Sequence, residues 1–183
     1  MGAAAGSETA TAELAIPAVD PTAPPARLLG ISTKIALSKP GTWFYSQVSA
    51  RIDPWLLRVS GGRFSSLLGV LPIVLLSTRG AKTGLERTVP LVYFTDGEDV
   101  ILIASSFGRP RYPAWYHNLK ANPEVTLESA GRSARFRARE TDGEDRARLY
   151  ELAKRLYRGY GNYEQRTDGI RRVPVLRLAQ LQA

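Results

Sequence analysis

The sequence contains no cysteine. Thiol nucleophiles, disulfides and cysteine-bound metal sites are therefore excluded. It holds one histidine, His117, so a histidine-rich metal site is excluded too, and a Ser-His-Asp triad would have to use that residue. No stretch approaches the ~20 consecutive apolar residues of a spanning helix. The N-terminus lacks the basic start and long apolar run of a secretory signal, and a cytoplasmic location is the expectation. The first 26 residues also lack Lys and Arg, while carrying three acids, Glu8, Glu13 and Asp20.

What is present is strongly basic. The 183 residues include 25 Lys and Arg against 17 Asp and Glu, a formal net charge of +8. Beyond residue 26 all 25 cations face 14 acids, an excess of +11 that favours a partner bearing phosphates or carboxylates. The length suits one domain with extensions and is sufficient to bury a core without staples.

Three zones follow along the chain. Residues 1–26 are Ala-, Thr- and Pro-rich and are read as a disordered tail. Residues 27–69 form a basic, aromatic segment with Trp43, Phe44, Tyr45 and Trp55, broken near Pro40-Gly41 and Pro54. One or two short helices are expected there. They either cover a barrel or lie, through residues 27–63, on the inner face of a membrane. Residues 70–183 are a domain of short strands.

Apolar, β-branched runs predict strands over Ile73–Thr78, Thr88–Thr95, Val100–Ala104, Val125–Glu128, Ser133–Arg139 and Val173–Leu176. Asp96-Gly97 and Ala130-Gly131 mark hairpins, so neighbours pair antiparallel. Pro174 suggests an edge or a strand start. Closing six such strands removes exposed edges, and a small barrel with helices packed outside is expected. One helix runs from Pro113 to Ala121 and stops at Asn122-Pro123. Another begins at Thr141, where Thr141-Asp142-Gly143-Glu144 reads as a capping box.

Clusters in three places could carry chemistry. Thr78-Arg79-Gly80-Ala81-Lys82-Thr83-Gly84 with Arg87 is either an ordinary basic hairpin turn or a cradle for an anion. Ala104-Ser105-Ser106-Phe107-Gly108 leads into Pro113-Ala114-Trp115-Tyr116-His117-Asn118, a loop entering a helix start that suits an electron-rich ligand edge. Trp115 reads as a core anchor, and His117 is assigned no catalytic role. Tyr157, Tyr160 and Tyr163 fall three apart on a helical turn, with Gly159 and Gly161 predicting a mobile or irregular segment. They could wall an aromatic pocket and donate hydrogen bonds, or simply pack on the barrel. None of these clusters pairs a nucleophile with a base. Either the protein is not an enzyme or a bound cofactor performs the hard step.

Leu76-Ser77-Thr78-Arg79-Gly80-Ala81-Lys82-Thr83-Gly84 with Arg87 and Pro90-Leu91 resembles the signature of the deazaflavin-dependent nitroreductases and quinone reductases. So do Pro113 to Pro123, the closing tyrosines, Gln165-Arg166-Thr167-Asp168 and Val173-Pro174-Val175. The resemblance implies a split antiparallel β-barrel, mainly β with helices, related to flavin-mononucleotide-binding oxidoreductases. It implies reduced coenzyme F-420 as hydride donor and a quinone or nitroaromatic acceptor; nucleic acid is not expected as a partner, because the clearest basic-aromatic mixture lies in 27–63, outside the barrel. By that likeness Lys82, Thr83 and Arg87 would hold the phosphate and glutamate tail, and Ala81, Thr88 and Val89 would also belong to the cofactor-binding residues. Ile103, Ala104, Ser105, Ser106, Ala114, Trp115, Tyr116, His117, Asn118 and Tyr160 would line the ring. Ser105, Tyr157, Tyr160 and Tyr163 would form the acceptor and catalytic side. Two positions depart from the pattern: Ala81 stands where an arginine is usual, and Ser106-Phe107-Gly108 where Lys-Gly-Gly is common. The rival readings are a split-barrel enzyme using flavin mononucleotide, and a non-catalytic deazaflavin carrier.

Overall fold

The β-branched runs condense into six antiparallel strands among the residues described by the computed structural model, 14–23 and 71–182. They are β1 (Ile73–Arg79), β2 (Glu86–Asp96), β3 (Asp99–Ile103), β4 (Glu124–Ser129), β5 (Arg132–Glu140) and β6 (Val175–Gln180). The order β1-β2-β3-β6-β5-β4 closes into a barrel. The closing ladder pairs Leu75 with Glu128, Leu76 with Leu127 and Ser77 with Thr126. The final strand starts later and runs further than predicted. Pro174 precedes it, where its missing N–H costs no ladder bond, and β6 is no edge because it lies between β3 and β5.

Strand alternation builds two cores. Val100 and Leu102, with Ala104 just beyond β3, turn into the barrel and meet Val74, Leu76, Leu127, Phe136, Leu176 and Leu178. Ile101 and Ile103 face the other way, onto Leu149, Tyr150 and Ala153 of a covering helix. Burial on both faces explains why β3 reads as an unbroken apolar run. Phe136 is 0% exposed inside the barrel, and truncating it to alanine would cost about 3–5 kcal/mol.

Helix α1 (Ala114–Ala121) buries Trp115 and Leu119, one turn apart, in the barrel core. Trp115 is thus the anchor expected. The helix ends at Asn122 because the residue before a proline disfavours helical backbone. Helix α2 (Gly143–Leu156) lays Leu149, Tyr150 and Ala153 on the outer face of β3 and β6. The predicted capping box does not form. Asp142 is the cap residue, without a side-chain bond. The Thr141 hydroxyl and backbone N–H both donate to the Val175 carbonyl, at 3.1 and 2.9 Å, so the strand pairing claims that residue before the helix can. Helix α3 (Gly159–Thr167) follows after a kink at Tyr157 and Arg158. Nine residues there are regular helix, correcting the expectation of an irregular segment.

Residues 14–23 correct the reading of an unpacked tail over 1–26. Ile16 is 1% exposed within the barrel-core cluster. The Tyr93 hydroxyl donates to Pro17 O at 2.9 Å, and Thr95 N–H donates to Val19 O at 2.9 Å. Mean composition over the segment hides this one apolar anchor. The expected helices of 27–69 lie outside the described residues.

Candidate active site

The two ends of the barrel are built differently. At one end β2–β3 and β4–β5 are joined by two-residue turns, Gly97-Glu98 and Ala130-Gly131. At the other lie the β1–β2 turn, the segment 104–123 with α1, and the segment 141–174 with α2 and α3. All of the predicted site clusters sit at this second end.

The β1–β2 turn is held from within and from outside. Gly80 N–H donates to Leu85 O, and Gly84 N–H to Gly80 O, both at 2.8 Å. From α1, Asn118 accepts from Ala81 N–H and donates to the Thr78 hydroxyl, each at 3.0 Å. Asn122 adds a bond to Arg79 O at 3.3 Å. The first two sequence clusters are therefore one structural unit. Asn118 thus uses its carbonyl oxygen and one N–H on the turn, and the Ala81 N–H is taken by it. Thr88 shares a 2.7 Å hydroxyl contact with Ser77, and Val89 packs against the barrel core. Arg79, Lys82, Thr83 and Arg87 stay exposed. None of the three cations has a carboxylate partner among the described residues.

Beyond β3 the backbone turns sharply. Ser106, Phe107 and Gly108 hold φ of 50°, 57° and 71°. Arg171 grips this turn on both flanks. Its guanidinium donates to Ser105 O at 2.6 Å, Arg109 O at 2.9 Å and Ala104 O at 3.4 Å. It also lies over the Tyr112 ring, 4.8 Å from the centroid. Tyr112 touches Tyr116 and His117, with ring centroids 5.0 and 6.0 Å away. The Tyr116 hydroxyl donates to Glu140 at 2.8 Å. Partial burial and then that carboxylate push the phenol up to about 12, so it stays protonated. His117 is exposed. Ile103 and Ala104 are buried in the two cores, Ile103 against α2 and Ala104 inside the barrel.

The predicted tyrosines do come together. Tyr160 lies edge-on to Tyr157 at 5.5 Å and to Tyr163 at 6.1 Å. A Cβ at Gly159 would drive into the Tyr157 ring, so glycine there permits the cluster. The hydroxyls of Tyr157 and Tyr163 meet at 3.3 Å, and that of Tyr150 donates to Tyr160 O at 2.9 Å. Tyr160 is 6% exposed, yet its hydroxyl has no partner among the described residues. Burial, then neighbouring tyrosines, push Tyr160 and Tyr163 well above the usual phenol range. These are neutral donors at physiological pH. Phe107 joins them edge-on to Tyr163, with centroids 6.2 Å apart.

Helix α1 thus carries Asn118 against the basic turn and Tyr116 against Tyr112, Arg171 joins Tyr112 to Ser105, and Phe107 meets the tyrosines at Tyr163. Arg171 escaped the sequence reading. An arginine after a polar turn looks like any solvated cation, and only the fold shows three carbonyls converging on it.

A family model described as F-420H(2)-dependent quinone reductase matches residues 49–180. The chain belongs to that family. A protein named F-420H(2)-dependent quinone reductase from Mycobacterium tuberculosis is 37% identical over 134 residues, 71% of this chain and 89% of that protein. A solved structure of an F-420-H2 dependent reductase superimposes with a TM-score of 0.54 at 39% identity, covering 58% of this chain and 93% of that one. A second, described as a domain-swapped dimer, gives a TM-score of 0.55 at 34% identity, covering 76% and 99%. The split-barrel fold and the family expected from the sequence are those found. Among the described residues no helix is long and apolar enough to cross a membrane.

Proposed function

We propose that this protein binds reduced coenzyme F-420 across the loop-rich end of the barrel and uses it to reduce a quinone. The family membership supports the cofactor and the reaction. The single structural observation that carries the placement is the convergence at that end of unpaired exposed cations with a cluster of largely buried tyrosines, in which the Tyr160 hydroxyl has no partner among the described residues.

The residues present fit the group. Arg79, Lys82, Thr83 and Arg87 offer charge-assisted donors to phosphate and carboxylate oxygens, and with Ala81 in the turn, Arg79 supplies a cation close by. Asn118 holds that turn in place, with a second amide N–H that a ligand could take. The backbone of 103–106 and the start of α1 at Ala114 form the rim where a flat ring would lie, with Tyr116 and His117 beside it. Trp115 and Val89 support this rim from the core.

When bound, reduced coenzyme F-420 supplies the hydride. The chain's own part is positioning, which can account for several kcal/mol of a barrier. Ser105 and the Tyr160 hydroxyl hydrogen-bond the acceptor oxygen as negative charge develops. Tyr157 and Tyr163 wall the same side. Because burial pushes these phenols above their usual range and makes them weaker acids, the hydroxyls hold their protons, and the product's proton comes from water. A nitroaromatic, with its paired oxygens, suits the same donors as an incidental acceptor.

Paired substitutions test the division of labour. Lys82→Ala is expected to weaken coenzyme binding about tenfold, roughly 1.4 kcal/mol, with little change in kcat. Tyr160→Phe is expected to lower kcat while leaving the coenzyme Kd in place. Unchanged binding in the first variant, or unchanged turnover in the second, would overturn the corresponding role.

A further inference from the structure

Phe107 stands where its own backbone disfavours it. Its φ of 57° lies in the left-handed region, between Ser106 at 50° and Gly108 at 71°. There the Cβ of an L-residue crowds the following carbonyl, and a bulky side chain is an outlier. Glycine at 107 would avoid that cost, so the phenyl ring itself must be of use where it is held.

The ring packs only at the margin of the outer core cluster. No residue of the 106–108 turn is fully buried, and Phe107 is half-buried, its ring meeting Tyr163 at 78°. The surroundings fix the strained turn from three directions. Arg171 holds the carbonyls of Ala104, Ser105 and Arg109. Gly108 and Arg109 close the turn on Ser105 O and Ser106 O at 3.0 and 3.1 Å. Gly108 packs against α3 so closely that a Cβ would meet Arg166 Cδ at 3.0 Å and Tyr163 Cα at 3.2 Å. Strain maintained this firmly beside a polar, tyrosine-lined site is the signature of a ligand clamp.

We infer that Phe107 is a specificity-determining wall of the acceptor site, positioned by Arg171, and that it limits the width of the quinone admitted. The inference rests on the proposed function. An apolar edge beside Tyr163 offers a small flat quinoid ring an edge-to-face contact. A ring widened by a bulky substituent meets the phenyl group instead.

The test uses the enzyme loaded with oxidised coenzyme F-420, where no turnover occurs, and calorimetric binding of two probes. One is a small methylated benzoquinone. The other is a naphthoquinone carrying a branched alkyl substituent. Phe107→Asn removes the ring but keeps a residue tolerant of left-handed backbone, and Phe107→Gly removes the strain as well. Both variants are expected to bind the wide quinone about tenfold more tightly, the scale at which pocket walls discriminate. The small quinone should bind a few-fold more weakly for want of the edge contact, while the coenzyme Kd should change little and the Tm should not fall. Steady-state assays should place the same shift in KM rather than kcat. An unchanged ratio of the two quinone affinities would overturn the inference. So would a fall in Tm with both affinities lowered alike, which would make the ring a packing residue. Failure of the underlying reading shows earlier and separately: wild-type protein that takes up no coenzyme F-420 at the loading step removes the proposed function and this inference with it.

Discussion

The barrel's two ends use unusual backbone for opposite purposes. At the turn end, Ala130 and Gly131 take φ of 51° and 74° only because two residues must reverse the chain between β4 and β5, and nothing lies within 4 Å of a Cβ built at Gly131. At the loop end, Gly108 has a similar φ but is also pressed against α3. The first is chain economy, satisfied by local geometry alone. The second is close approach, in which the turn, Arg171 and the tyrosine helix fix one another. Rigidity bought at the loop end is what lets donors sit ready for an acceptor.

Paired alanine substitutions should separate the ends most sharply. Gly108→Ala meets both the backbone penalty and the clash with α3, and is expected to cost about 2–4 kcal/mol, with loss of turnover in the folded fraction. Gly131→Ala meets the backbone penalty alone, about 1 kcal/mol, with kcat retained. Chemical denaturation and steady-state kinetics on the same preparations check this; equal losses of activity would erase the contrast.

Arg171 gives the next largest effect. Arg171→Ala is expected to lower kcat roughly tenfold, about 1.4 kcal/mol of transition-state stabilisation, by releasing the Ser105 and Phe107 turn. Arg171→Lys should not restore it, since an ammonium cannot reproduce the planar fork over Tyr112 and the carbonyls. Rescue by lysine would show that charge, not geometry, matters there.

The smallest effect belongs to the turn end. Asp96 is ion-paired to Arg148 and Arg177, each at 2.7 Å, and the hydrogen bond from Arg148 above all holds its carboxyl down to about 2. The folded value is below the unfolded one, so this contribution is present above about pH 4 and is lost as pH falls toward 2. Asp96→Asn should flatten the acid limb of a stability profile over that window, and leave acceptor selectivity untouched. An acid limb as steep as the wild type's would mean other carboxylates dominate it.

Much of this architecture was legible in the sequence, for physical reasons that also mark its limits. Strands such as Val100–Ala104 and turns such as Asp96-Gly97 are written in local residue types, and Asn122-Pro123 stops α1 by sterics. The tyrosine spacing and the basic turn were readable as candidates. Long-range partners were not. Ile16 is a single anchor in an Ala- and Pro-rich segment, and its burial depends on core neighbours and on Tyr93 and Thr95 of β2, all distant in sequence. Thr141 has capping chemistry, but β6 competes for it and wins. Phe107 favours extended or right-handed backbone, and its left-handed conformation is imposed by Arg171 and α3 from more than 50 residues away. Asn118 was legible as a site residue and not as the bracket of the β1–β2 turn.

The most direct test is anaerobic: reduced coenzyme F-420 is mixed with the protein, and the absorbance of the oxidised deazaflavin is followed with and without a soluble quinone. The account requires that absorbance to return only when protein and quinone are both present, at a rate proportional to protein. Tight coenzyme binding with no quinone-dependent return would contradict it and leave a deazaflavin carrier in place of a reductase.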